Sequence, residues 1–139
     1  MKLDKIYLKG LLNAFEESSR PFTNIYELSN NGYHHDDDSF LFHMNIILDK
    51  GLIKSSSNSD GIGYSHSDND TNYWRVVPLR LTSDGHDFIS NLNEPEVWDA
   101  ICDNFKDSSV DTIKSVAKDL AKRFAKNKIT SLFGEESGI

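Results

Sequence analysis

The chain has a single cysteine, Cys102, among its 139 residues. An intrachain disulfide and a thiolate cluster are thereby excluded, and a reducing, cytoplasmic setting is the expectation. It has no apolar run near the roughly 18–20 residues of a membrane-spanning helix, so no membrane partner is expected. The first residues, MKLDKIYLKG, mix acid with base and hold no separate apolar segment, unlike a secretory signal. Positive charge is also short: 15 Lys and Arg stand against 22 Asp and Glu, for a net −7. Such a balance disfavours non-specific binding of DNA or anionic membrane.

The basic charge that exists is concentrated. From Val110 to Lys128 there are six cations (Lys114, Lys118, Lys122, Arg123, Lys126, Lys128) against Asp111 and Asp119, or +4, which leaves −11 on the rest. An acidic body and a basic C-terminal segment are distinct regions of one 139-residue domain.

Residues 3–17 have helical spacing, with Asp4 as cap and Leu8, Leu11, Leu12 and Phe15 on one face. Pro21 ends that run. FTNIYEL, residues 22–28, predicts a short strand or extended segment from its β-branched and aromatic content. A helix from about Asp37 to Lys50 follows. The carboxylates of Asp36, Asp37 and Asp38 suit its start as caps and dipole partners, and Gly51 stops it. Residues 54–72 are rich in Ser, Asn, Asp and Gly and predict a solvated flexible loop. YWRVVPLRLT, 73–82, predicts a strand, with Pro78 confining it to an edge or bulge. Thr82 caps a helix to about Leu92, and Pro95 opens another, with Val97, Trp98, Ile101 and Phe105 on one face. Ser108 with Asp111 resembles a capping box for a last helix that buries Ile113, Val116, Ala117, Leu120 and Phe124. The tail from 131 is expected to fray.

A helix ending in KGLI and followed by a hairpin is the sequence form of a winged-helix domain. The expected fold class is α+β: a winged-helix-like core at 1–92 with its wing loop at 54–72, then a C-terminal helical extension at 93–130. Several pieces carry a further resemblance: MKLD at the start, GY at 32–33, FHMNIILDKGLI at 42–53, RLTSDGHDFI at 80–89, VWDAI at 97–101 and TIKSVAKDLAKR at 112–123. With these the chain resembles the family catalogued as domain of unknown function 2513, small proteins common in phages and prophages. The departure is the long loop between Ser55 and Asn72. The resemblance implies a winged-helix-like fold and no reaction.

His34, His35 and the three aspartates are the residue types of a metal site. Adjacent side chains rarely converge on one ion, and His43 lies about two helical turns further on, so a helix start is the expected role and no metal is expected. His86 has no nucleophile in a recognisable motif beside it. Of its two readings, a general base or a packing residue bonded to wing backbone, the fold role is the expectation. Gly61 and Gly63 lack the lysine and helix of a phosphate loop. No catalytic residue, cofactor or enzyme activity is expected.

In a winged helix the segment 37–50 would read DNA. Its first turn is acidic here, and its core positions would be Phe40, Met44 and Ile47, with Leu52 after the turn. The exposed side then falls on Phe42, Asn45, Ile46 and Asp49. Base readers are usually Arg, Lys, Asn or Gln. Phe42, Ile46 and Asp49 therefore read as a protein-binding patch, and Lys114, Lys118, Lys122 and Lys126 as a second partner-binding ladder. The expected function is a non-enzymatic regulatory or adaptor module that binds a protein partner or a second copy of itself. The alternative is a DNA-binding regulator that uses the basic helix, with weak duplex binding. A small phage-encoded enzyme is the third class.

Overall fold

The computed structural model describes residues 1–56, 61–69 and 71–137. These residues form six helices and four short strands in two antiparallel hairpins, an α+β protein. The chain divides into two compact units, Met1–Ile89 and Ser90–Ile139.

In the first unit, α1 (Lys5–Glu16) starts where the sequence places it. The Asp4 carboxylate accepts from the N–H groups of Ile6 and Tyr7 at 3.0 and 3.1 Å. Leu8, Leu11, Leu12 and Phe15 are buried. The short strand or extended segment expected at 22–28 is corrected beyond Thr23. Only Thr23 pairs as a strand residue, exchanging backbone bonds of 2.7 and 2.8 Å with Leu79. From there the chain turns into α2 (Ile25–Asn30). The Asn24 side chain accepts from the N–H groups of Tyr26 and Glu27, and the Thr23 hydroxyl donates to the Glu27 carboxylate at 2.7 Å. These end bonds satisfy orphan donors that a strand would have to pair elsewhere, and they outweigh the β preference of Ile25 and Tyr26. Asn24→Ala removes the cap and is expected to cost about 1 kcal/mol. A thermal melt checks this; an unchanged midpoint would mean that burial of Ile25 and Leu28 alone holds α2.

Helix α3 (Asp38–Asp49) has Asp37 at its N-cap, but the Asp37 side chain makes no capping bond. The expected capping role is corrected there. The Asp37 N–H donates to the His34 carbonyl, and the acidic first turn acts only through the helix dipole. At the other end the Gly51 N–H bonds to Leu48 O and the Leu52 N–H to Ile47 O. Gly51 has φ 68, the left-handed geometry this ending demands. Phe40, Met44, Ile47 and Leu52 are fully buried, as the helical spacing requires.

The chain then forms β1 (Ile53–Ser55), β2 (Tyr64–His66), β3 (Asn72–Trp74) and β4 (Leu79–Leu81). β1 pairs with β4, Ile53 opposite Leu81, and β2 pairs with β3, Tyr64 opposite Trp74. Two expectations are corrected. The strand over 73–82 is broken between Trp74 and Leu79, where Pro78 has no N–H to extend a ladder. The loop at 54–72 is structured in its described part: it carries β2, and Ile62 within it is buried. Trp74 anchors this hairpin, with its ring 5.1 Å from Tyr64 and 5.5 Å from Phe40 of α3. Residues 57–60 and 70 of that loop lie outside the described residues.

Helix α4 (Ser83–Leu92) begins at Thr82, whose Oγ1 accepts from the Gly85 N–H at 3.0 Å. In the second unit, α5 (Pro95–Asn104) packs on α6 (Val110–Ser137). The cap of α6 is corrected to Ser109: its Oγ accepts from the Thr112 N–H, so the helix begins one residue beyond the expected box. Val110, Ile113 and Ala117 are buried, whereas Val116, Leu120 and Phe124, expected inside, are half-buried. The helix continues to Ser137, past residue 130 where a fraying tail was expected. Among the described residues no helix is long and apolar enough to cross a membrane.

Candidate functional site

The residues of the histidine–aspartate stretch do not converge. His34 points to Ser29, its Nδ1 2.7 Å from the hydroxyl. His35 turns inward between the rings of Tyr26 and Trp74, at 6.0 and 6.3 Å. Its Nδ1 is buried without a hydrogen-bond partner among the described residues, and its Nε2 stands 3.9 Å from Asp36. Among the described residues no group of three or more His, Cys, Asp or Glu is placed to hold a metal ion.

His43 occupies the core instead, 1% exposed. Its Nε2 accepts from the Asp4 N–H at 3.0 Å, and its Nδ1–H donates to the Ser39 carbonyl at 2.7 Å. Those two partners require the neutral ring with its proton on Nδ1. The ring also lies 4.6 Å from Tyr7, which in turn meets Tyr33 edge-on at 5.1 Å. The Tyr7 hydroxyl is buried and unbonded among the described residues. Burial pushes its pKa up to about 12, with repulsion from Asp37 and Tyr33 adding to the rise. Burial raises Tyr33 as well, with a smaller push from Glu17. This cluster ties α1 to α3 and fastens the fold.

The expected patch on α3 is less open than its spacing implied. Phe42 and Ile46 are half-buried, the Phe42 ring meeting that of His43 at 5.1 Å, while Asn45 and Asp49 are exposed. His86 is corrected from a wing-bonded packing residue. Its side chain is 59% exposed, and its Nδ1 stands 3.8 Å from Glu16 Oε1.

Helix α6 carries four of the candidate residues. Lys114 is half-buried, whereas Lys118, Lys122 and Lys126 are exposed. At 100° per residue those three lysines share a face with Ile129, and Leu132 follows one turn later. Ile129 and Leu132 are 57% and 69% exposed. The length of the helix explains this. At 1.5 Å per residue, the 28 residues of α6 extend about 42 Å and the 10 of α5 about 15 Å, so α5 cannot line its whole length. The fraying expected from 131 left Leu132 off the helix, while Ile129, inside the expected extension at 93–130, was not assigned to a partner face. The available signal was their three-residue spacing directly after the lysine ladder.

A groove of about 830 Å³ borders this helix within the second unit, between Asn91, Glu94 and Pro95 on one side and Ala121, Phe124 and Lys128 on the other. In the first unit a smaller pocket collects Arg20, Arg80 and His86. These residues lie up to 66 positions apart and carry no joint motif, so no sequence signal links them.

A family model described as "Hypothetical protein (DUF2513)" matches residues 2–111. No curated protein and no solved structure matches.

Proposed function

The chain belongs to the DUF2513 family, and from that premise we propose that it is a non-enzymatic binding module of winged-helix type that docks a protein, in the first instance a second copy of itself, through α6. The winged-helix reading rests on element order and pairing. A first helix, a paired residue (Thr23), two helices and a hairpin follow one another, and Thr23 bonds to the last hairpin strand at Leu79. In that fold α3 would lie in the DNA groove, yet Asp36 and Asp37 stand just ahead of it and Asp38 in its first turn, all exposed. Repulsion between carboxylates and phosphates argues against duplex DNA at α3.

The observation that carries the protein-binding reading is the exposed face of α6, where lysines and large apolar side chains are mixed. A helix that offers apolar anchors one turn apart fits a groove on another protein, and flanking lysines suit an acidic rim. The rest of this chain, at −11, supplies such an acidic surface in a second copy. Duplex DNA would use the lysines and leave Ile129 and Leu132 in water.

Ile129→Asp combined with Leu132→Asp is the test. Both positions are exposed, so thermal stability should change by no more than about 0.5 kcal/mol each. Sedimentation over a concentration series should show self-association in the parent chain and its loss in the variant. A parent chain that stays monomeric throughout would remove the self-association arm. Duplex titration provides the opposing result: submicromolar binding with a log–log salt slope near −3.6, from four contacts at ~0.9 each, lost in Lys114→Glu plus Lys118→Glu. That outcome would promote the DNA-binding alternative.

A further inference from the structure

The small pocket of the first unit is a separate matter from α6. Its volume is about 200 Å³, and it opens between the end of α1, residues 18–23, β4 and the first turn of α4. Pro21 and Phe22 give it an apolar wall, backed by the buried Phe15 of α1 and Leu79 and Leu81 of β4. Two guanidinium groups line the same space. Arg20 lies with its guanidinium carbon 4.5 Å from the centre of the Phe22 ring. The stacking holds one flat face of the group and leaves its in-plane N–H edge available. Arg80 is steadied differently, by donation from Nη1 to the Leu81 carbonyl at 3.1 Å.

Among the described residues neither guanidinium has a carboxylate partner. This occurs on a chain with 22 acidic residues, one of which, Glu16, lines the same pocket. Glu16 is turned towards His86, at 3.8 Å. Glu27 accepts from the hydroxyls of two lining residues, Thr23 at 2.7 Å and Ser18 at 3.3 Å. The Glu16 carboxylate is therefore set against His86, another lining residue of the same pocket, while two forked cationic donors remain beside an apolar wall.

We propose that this pocket binds a small organic carboxylate, with Arg20 and Arg80 donating to its oxygens and its apolar body against Pro21 and Phe22. Guanidinium and carboxylate match as paired donors and acceptors, and two guanidiniums also neutralise the charge that burial would penalise. The apolar wall separates this ligand class from inorganic phosphate, whose every face is polar.

The probes are benzoate, its neutral analogue benzamide, and inorganic phosphate, each titrated into the full chain and followed by amide NMR. Benzoate is expected to shift residues 15–23 and 79–86 saturably, with half-saturation below ~10 mM. Benzamide is expected to leave them unmoved. Arg20→Gln and Arg80→Gln should each weaken benzoate binding about tenfold, as loss of one charge-assisted contact predicts. Arg20 is exposed, so its variant decides the matter if Arg80→Gln fails to fold. Absence of saturable shifts, or equal binding in Arg20→Gln, would overturn the site. A response to phosphate with none to benzoate would overturn the organic-carboxylate class.

Discussion

Gly85→Ala is expected to cost about 3 kcal/mol or more, and to lower the melting midpoint by roughly 10 °C. Gly85 is buried in the first turn of α4. A Cβ built there would stand 2.1 Å from the Leu52 carbonyl oxygen and 3.2 Å from Leu81 Cδ2. The oxygen cannot easily retreat, because it accepts from the Thr82 N–H at 2.9 Å. Thr82 in turn donates its hydroxyl to the Gly51 carbonyl at 2.6 Å and caps Gly85. The segment LTSDG thus seats α4 on the turn that ends α3, and a methyl group would lift the helix off it. Differential scanning calorimetry of the variant checks the claim. A loss within 1 °C would mean that the helix start shifts without cost, and that the close approach is not a constraint.

His43→Ala is expected to cost about 3 kcal/mol, from the volume lost in a packed core together with two hydrogen bonds. His43→Phe separates the two causes. Phenylalanine refills the ring volume beside Tyr7 but offers the Asp4 N–H no acceptor and the Ser39 carbonyl no donor. It is expected to recover part of the loss and to remain about 1–2 kcal/mol below the parent chain. Urea unfolding of both variants measures this. Parent-like stability of His43→Phe would show that packing alone holds α1 against α3.

Both residues bear on what could be read in advance. Gly85 lies in the LTSDGHDF segment that carries the family resemblance, and its close contact with Leu52 gives that segment a physical meaning. His43 was legible only as a residue on the α3 helix. A histidine between core positions Phe40, Met44 and Ile47 has no sequence mark that says which partners will satisfy its nitrogens. One partner, the Asp4 N–H, is 39 residues away. The pocket of Arg20, Arg80 and His86 was illegible for the same reason, since strand pairing at Thr23 and Leu79 brings its walls together.

Local rules were sufficient wherever a helix answers to its own neighbours. Asp4 as cap, the burial of Leu8, Leu11, Leu12 and Phe15, the stop at Gly51, the Thr82 cap and the apolar face of α3 all follow from spacing and end chemistry within a few residues. The sequence by itself determined those elements, the α+β class, the family and the concentration of charge in α6. Tertiary structure alone decided the rest. It paired Thr23 with Leu79, folded the polar loop into a hairpin and drew His43 inside. In each case a contact from far along the chain, Leu79 on Thr23, Phe40 on Trp74 or Asp4 on His43, outweighed a local preference worth about 1 kcal/mol or less. Such contacts lie beyond the window in which periodicity and propensity act.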